Sequence, residues 1–220
     1  MSSTVVFVLE IIGTVAFAVT GAMVALERKL DVFGVVFLGV VTALGGGVVR
    51  DLIIGKTPPA MFEDYSYLLA ASVTSLVVFV AIAIFKKAYV GHRRVINEVF
   101  NVFDSLGLGI FAAVGVIVAI KAGYGNNAFL CIFVGMTTGC GGGILRDIMS
   151  RSIPMVFRKR IYAVAALIGS VICYYMIKCN VGDGWAFGVS TAVVFVIHIL
   201  ASVFKLNLPH LELDGVKSDD

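Results

Sequence analysis

Long apolar runs separated by short polar stretches make up most of this chain. A membrane-spanning helix needs about 20 mostly apolar residues, and seven stretches reach or nearly reach that length. They are residues 4–26, 32–49, 65–85, 101–120, 122–145, 161–177 and 184–204. The pattern therefore predicts an all-α membrane protein with seven transmembrane helices, whose short connections leave no room for a soluble domain.

The composition supports a lipid environment. Hydrophobic residues fill 60% of the 220 positions and charged residues 14%, whereas soluble domains average about 45–50% and about 25%. No basic residue precedes the first apolar run and no A-x-A site follows it, so we expect that run to remain as a helix. The four cysteines lack metal-ligand spacing and are interpreted as packing thiols. These are Cys131, Cys140, Cys173 and Cys179.

Basic residues are distributed unevenly between the two sides of the predicted helix array. Thirteen Lys and Arg follow spans one, three, five and seven, and four lie on the other side. The bias predicts a protein of the plasma (inner) membrane with a cytoplasmic C-terminus and an extracytoplasmic N-terminus. The net charge of +3 then indicates attraction to anionic lipid headgroups rather than to nucleic acid. A basic cluster at residues 158–160 is interpreted as an inside anchor, with a specific lipid site as the alternative.

A seven-residue motif occurs twice in the chain. GGGVVRD occupies residues 45–51 and GGGILRD occupies residues 141–147. Pro58 and Pro154 each lie seven residues past the Asp of the motif. A single copy would indicate little, but two copies with matching flanks indicate an internal repeat.

The match extends upstream of both motifs. FAVTGAMVAL at residues 17–26 aligns with FAAVGVIVAI at residues 111–120, so each repeat contains three helices. Because three is odd, the second copy crosses the membrane in the opposite direction, an inverted-repeat architecture that recurs in transport proteins. The predicted organisation is a transmembrane domain over 1–206, made of repeat one (about 4–87), repeat two (about 98–178) and a seventh helix (about 184–205), and then a flexible cytoplasmic tail (207–220).

The glycine triplets lie well inside spans two and five, where they predict broken helices. A break frees backbone carbonyls that favour a cation, so we expect a kinked cation path with Na⁺ or K⁺ bound near the carbonyls of Gly45 and Gly141. Close helix packing is the alternative, and Gly39 and Gly135 are interpreted in that way. The residues of the predicted path are Gly45, Gly46, Gly47, Gly141, Gly142 and Gly143, with Thr42 and Thr138. The threonine hydroxyls either line the path or bond their own helix backbone.

The charged pairs after the triplets, Arg50–Asp51 and Arg146–Asp147, are expected to form an interior salt-bridge network or gate, since intramembrane charges face protein or water. A surface anchor is the alternative. Each Asp is also a candidate for attracting cations.

Three further polar residues in the spans rank lower. Glu10 and Asp104 open the first helices of the two repeats, at different depths. Each is interpreted either as a residue that attracts cations or as one that lies at the level of the lipid headgroups. His198 is interpreted as a packed histidine.

The chain lacks the common motifs of enzymes. It contains no G-x-S-x-G, no H-E-x-x-H and no phosphate-binding loop. We therefore expect a protein that is not an enzyme and that has no cofactor beyond a bound Na⁺ or K⁺.

The doubled GGG-x-x-R-D motif, with its matched prolines in a seven-span chain, resembles the prokaryotic trimeric intracellular cation (TRIC) channels. The resemblance implies a homotrimer in which each subunit has its own pore for monovalent cations, potassium above all. It also implies that helices two and five kink at the triplets and line that pore. A secondary transporter for a small solute such as glycine remains the alternative, while a purely structural protein leaves the paired motifs unexplained.

Overall fold

The computed structural model describes residues 3–86, 91–158 and 161–204. Its regular elements, in chain order, are α1 (Ser3–Glu27), α2 (Val32–Ile53), α3 (Ala60–Glu63), α4 (Ser66–Ile84), α5 (Arg93–Ala119, continued by a π turn over Ile120–Tyr124), α6 (Ala128–Met149), α7 (Met155–Arg158), α8 (Ile161–Lys178) and α9 (Asp183–Val203). Seven helices of the described part are long and apolar enough to cross a membrane. The predicted all-α, seven-span fold is therefore confirmed.

Matching capping residues open the middle helix of each repeat. Asp31 caps α2 and accepts a hydrogen bond from the Gly34 backbone N–H at 2.8 Å. Asn127 caps α6 and accepts one from the Leu130 N–H at 3.0 Å. Each side chain satisfies an N–H that has no partner within the helix. Both capping residues lie fourteen positions before the first glycine of their triplet, so both helices begin in the same register.

Equivalent helices make equivalent contacts in the two repeats. In repeat one α1 packs on α2 and α4, and in repeat two α5 packs on α6 and α8. The α1–α5 and α2–α6 contacts join the repeats, while α9 packs on α5 and α8. The inverted three-plus-three repeat with a seventh helix is thus the architecture of the chain.

Small residues set the spacing of helices within each repeat. A Cβ added at Gly21 would collide with Gly39 and Thr42, and a Cβ added at Gly115 would collide with their counterparts on α6, Gly135 and Thr138. Gly39 and Gly135 therefore serve close packing, as predicted.

The helices do not break at the glycine triplets, contrary to our expectation. Both α2 and α6 are continuous through them, and none of the six glycines has a positive φ. The physical reason is a close helix crossing. A Cβ at Gly46 would collide with the Thr138 carbonyl oxygen, and a Cβ at Gly142 with the Thr42 carbonyl oxygen. The missing side chains thus let two backbones touch, which supports the packing interpretation.

The remaining sequence predictions concern the cysteines and two terminal segments. Cys131, Cys140 and Cys173 are buried as packing thiols, whereas Cys179 is exposed just after α8. The predicted tail (207–220) and two residues of the basic cluster, Lys159 and Arg160, lie outside the described residues.

Candidate functional site: two buried arginine clusters

The first cluster is formed by Arg50, Glu10, Asp51 and Tyr67, and we call it cluster one. Arg50 donates from Nη1 to Glu10 Oε1 at 2.6 Å and from Nε to Asp51 Oδ1 at 2.8 Å. Tyr67 donates its hydroxyl proton to the other Glu10 oxygen at 2.8 Å. Asp51 Oδ2 accepts the Ala60 N–H at 2.8 Å, which ties the end of α2 to the start of α3. Every carboxylate oxygen in cluster one therefore has a donor.

The second cluster, cluster two, contains Arg146, Asp104, Asp147 and Tyr162. Arg146 donates from Nη1 to Asp104 Oδ1 at 2.6 Å and from Nε to Asp147 Oδ1 at 2.9 Å. Asp147 Oδ2 accepts the Met155 N–H at 2.8 Å, at the start of α7. The side chains of Arg146 and Asp104 are 0% exposed. Both arginines thus lie in interior salt-bridge networks, as predicted, and not at the surface.

Glu10 and Asp104 occupy the same position in their repeats. Glu10 lies seven residues before Phe17, and Asp104 lies seven residues before the aligned Phe111. Glu10 and Asp104 are therefore equivalent residues of the two repeats. Each carboxylate completes the ion-pair cluster of its own repeat.

The structure assigns a separate task to each part of the repeated motif. The second glycine permits the crossing of α2 and α6. The third glycine lies beside the arginine, since a Cβ at Gly47 would be in ordinary van der Waals contact with Arg50 Nη2 at 3.8 Å, and a Cβ at Gly143 with Arg146 Nη2 at 3.6 Å. In repeat two a Cβ at Gly143 would also lie 2.9 Å from the Tyr162 hydroxyl. Because residues three apart share a helix face, the guanidinium folds back over this glycine. The final Asp then fixes the guanidinium and the following loop together.

The two clusters differ in how firmly their arginine is held. Arg146 also donates to Thr20 Oγ1 at 3.1 Å and to Met155 Sδ at 3.3 Å, and its guanidinium lies 5.0 Å from the ring centroid of Phe100. The position equivalent to Thr20 in repeat two is Val114, which has no hydroxyl to offer Arg50. Arg146 is therefore more extensively bonded than Arg50, while in the described part of the chain Asp104 Oδ2 and the Tyr162 hydroxyl of cluster two have no hydrogen-bond partner.

Each cluster carries a surplus of formal negative charge. Two carboxylates face one guanidinium in both cases, so each cluster sums to −1 with these three groups ionised and its tyrosine neutral. Charges inside a membrane protein are costly unless they are paired or reach water. Such a surplus attracts cations wherever a water-filled space reaches it.

A cleft reaches cluster one. Both polar and apolar residues line it. Its lining includes Glu10, Thr14, Gly47, Arg50, Asp51 and Phe111. Asp104 and Arg146, in contrast, are fully buried. A cleft therefore reaches cluster one, while the Arg146–Asp104 pair at the centre of cluster two is fully buried.

The two threonines of the predicted path bond their own helices. Thr42 donates to the Leu38 carbonyl oxygen and Thr138 to the Val134 carbonyl oxygen, both at 2.6 Å. Of the two interpretations considered, the structure therefore favours backbone bonding.

Two further predictions concern His198 and metal binding. His198 is buried, contacts Ser105 through Nδ1 and stacks edge-on against Tyr162, which confirms its packed role. In the described part of the chain, no group of three or more His, Cys, Asp and Glu is placed to hold a metal ion. The cation site expected near Gly45 and Gly141 requires carbonyls freed by a break in the helix. Because both helices are continuous there, each such carbonyl accepts the N–H four residues on.

The sequence interpretation missed two kinds of site residue. The tyrosines of the clusters, Tyr67 and Tyr162, each occupy the second position of the third long helix of their repeat, a shared register that would have identified them. Thr20 had no such signal, because its repeat counterpart is not polar. The pairing of Glu10 and Asp104 with the arginines was available from their identical spacing to the aligned phenylalanines.

Comparison with known proteins matches the two-repeat organisation. A family model described as "Glycine transporter" matches residues 7–83 and 101–178, one segment for each repeat. The chain is 36% identical to the UPF0126 inner membrane protein YadS of Escherichia coli K12, with 95% of this chain and 97% of that protein covered. It is 37% identical to the UPF0126 membrane protein YvgT of Bacillus subtilis 168, with 92% and 94% covered.

Solved structures agree with these relatives. The chain is similar to a structure that describes conductance through TRIC cation channels, at a TM-score of 0.82 and 36% identity, with 95% of this chain and 98% of that one covered. It is similar to the TRIC trimeric intracellular cation channel orthologue from Rhodobacter sphaeroides at a TM-score of 0.83 and 32% identity, with 93% and 100% covered.

Proposed function

The chain belongs to the TRIC/UPF0126 family, and on that premise we propose that this multi-pass membrane protein is a cation channel. The solved structures it resembles are ion channels and not enzymes. Potassium is the proposed principal ion. We infer a homotrimer from the trimeric R. sphaeroides orthologue, with a separate path through each subunit and membrane lipids around it.

Cluster one is the observation that carries the proposal. Within the bundle of membrane-spanning helices, a cleft reaches two carboxylates that share one arginine. A low-dielectric wall strengthens the field of their surplus negative charge and raises the local concentration of cations. Arg50 is held by both carboxylates, so its own charge is offset. The mouth of the proposed path therefore favours cations over anions.

The proposed path continues from cluster one along α2 and α6 towards cluster two. These helices cross at Gly46 and Gly142, and their arginines lie on the same helices beyond the crossing. An ion that travels along the crossing meets one negative cluster before it and one after it. In this proposal the triplets shape the path through close packing rather than through broken helices.

Bilayer recording of the purified chain in asymmetric KCl tests the proposal. We expect single-channel current steps whose reversal potential is displaced from zero towards the equilibrium potential of potassium. The proposal is contradicted if the protein produces no current steps, or if the reversal potential of the current is displaced towards the equilibrium potential of chloride.

A second candidate function, a carrier for a small solute such as glycine, is favoured by one observation. The cleft reaches cluster one while the central residues of cluster two are fully buried, and a site open on one side is typical of carriers that expose their site alternately. Saturable uptake of labelled glycine into proteoliposomes, without current steps, would favour the carrier.

A further inference from the structure

Two equivalent phenylalanines meet between the repeats. Phe17 of α1 and Phe111 of α5 open the aligned blocks of the two repeats, and their rings stack with centroids 5.4 Å apart and planes 28° apart. When the same residue of two inverted copies forms a contact with itself, that contact lies on the pseudo-two-fold axis that relates the copies. The pair therefore lies on the axis that also relates cluster one to cluster two.

Each ring is seated on a glycine of the other repeat. A Cβ at Gly107 would collide with the ring of Phe17, and a Cβ at Gly13 would lie 3.0 Å from the ring of Phe111. Gly13 and Gly107 are themselves equivalent, since each lies four residues before its repeat's phenylalanine. The glycines that the rings pack against are thus duplicated along with the rings, and both rings fit tightly between α1 and α5.

One ring of the pair lies on the cleft and the other is linked to cluster two. Phe111 lines the cleft at cluster one, and both rings are buried, Phe111 with 5% and Phe17 with 1% exposure. Thr20 donates to the Phe17 carbonyl oxygen at 2.9 Å and accepts from Arg146 at 3.1 Å. This chain of hydrogen bonds ties the Phe17 backbone to cluster two. The equivalent residue near Phe111 is Val114, which cannot form such a link.

We propose that the stacked pair of Phe17 and Phe111 is an apolar gate that closes the ion path between the two clusters. This inference rests on the proposed channel function. Packed apolar rings exclude the water that a permeating cation needs, which is how hydrophobic constrictions stop conduction. Thr20 and Arg146 hold the Phe17 side in place, so Phe111 is the ring that moves when the gate opens.

Single-channel recording of the full-length protein in bilayers tests the gate, with Phe17→Ala and Phe111→Ala compared with the unaltered chain. Each substitution removes the stacking, and we expect the open probability to rise about two- to tenfold, the equivalent of a lost aromatic pair. Phe33→Ala is the matched control, because Phe33 also stacks on a phenylalanine, Phe37, but is 73% exposed on the outer surface.

A third variant keeps the test decisive if the alanine variants do not fold. Phe111→Tyr retains the ring and adds a hydroxyl that hydrates the constriction, so a gate predicts a higher open probability while a packing role predicts no change. If the unaltered chain conducts and all folded variants keep its open probability, the gate is overturned and the channel stands. The gate is also overturned, and the channel stands, if Phe33→Ala raises the open probability as much as Phe17→Ala and Phe111→Ala do. If the unaltered chain passes no current, the proposed function itself fails.

Discussion

Arg146 in repeat two donates a hydrogen bond from Nη1 to Thr20 in repeat one, over a distance of 3.1 Å. The two residues are 126 positions apart in sequence, and both are buried. Cluster one cannot form the equivalent link, because Val114 occupies the matching position. This bond therefore distinguishes the two halves of an otherwise repeated structure.

Thr20→Val should weaken the contact between the repeats. The valine has nearly the same shape, but it leaves one N–H of Arg146 without its acceptor, which costs about 1–3 kcal/mol for a buried group. We expect a lower midpoint of thermal unfolding for the purified protein. Thr20→Ser keeps the hydroxyl and should unfold near the midpoint of the unaltered chain. Equal midpoints for the Val and Ser variants would show that the bond contributes nothing.

Arg146→Gln should destabilise the protein more than Arg50→Gln does. Removing Arg146 leaves Asp104 and Asp147 buried without a cation, and breaking a buried ion pair costs about 3–5 kcal/mol. Arg50 lies on the cleft, where water can solvate the remaining carboxylates of cluster one. Denaturant unfolding of both variants measures the difference.

A double variant provides the internal check on that comparison. Adding Asp104→Asn to Arg146→Gln removes one of the two uncompensated charges, so we expect part of the lost stability to return. If the stability losses of the two single variants simply add in the double variant, Asp104 and Arg146 are not coupled.

The fold was accessible from sequence because its signals are local and repeated. The length of each apolar run predicts a span, and the doubled motif with its flanks predicts an inverted repeat. The salt-bridge networks were also predictable, because Arg50 and Arg146 are too deep in apolar segments to remain unpaired. These inferences depend on composition and spacing, which do not require knowledge of neighbouring helices.

The role of the triplets was not accessible in the same way. A run of glycines lowers helix propensity, but tertiary contacts decide whether the helix breaks. Gly46 and Gly142 lie against backbone carbonyls of the opposing helix, and that crossing is a long-range contact that no local pattern contains. The link from Thr20 to Arg146 is invisible for the same reason, and it also breaks the repeat symmetry.

Gly46→Ala and Gly142→Ala should both destabilise the protein and reduce its current. Each added methyl group meets a backbone carbonyl oxygen, which cannot move aside as a flexible side chain can, and overpacking of this kind costs about 1–3 kcal/mol. Gly47→Ala is the control from the same triplet. Its methyl group would have Arg50 Nη2 as its nearest neighbour, at 3.8 Å, so its stability should change by about 1 kcal/mol or less. A Gly47→Ala variant as damaged as Gly46→Ala would refute the crossing as the cause.

Asp51→Asn should lower the preference for cations over anions. Asp51 lines the cleft and supplies half of the negative charge that offsets Arg50, so its neutralisation brings the formal charge of cluster one from −1 to zero. Asparagine keeps one of the two acceptor oxygens, so it retains the hydrogen bond from Arg50 Nε and loses the one from the Ala60 N–H. In an asymmetric KCl gradient we expect the reversal potential to move towards zero.

The ionic strength provides a second readout for the Asp51 variant. Screening shortens the reach of a charge from about 10 Å at 0.1 M salt to about 3 Å at 1 M, so the shift should be largest in dilute KCl. Glu63→Gln is the matched control, because Glu63 pairs with Lys56 at 2.8 Å with half of its side chain exposed, and it lies outside the cleft lining. An unchanged reversal potential for Asp51→Asn in dilute KCl, or an equal shift for Glu63→Gln, would mean that cluster one does not set the ion preference.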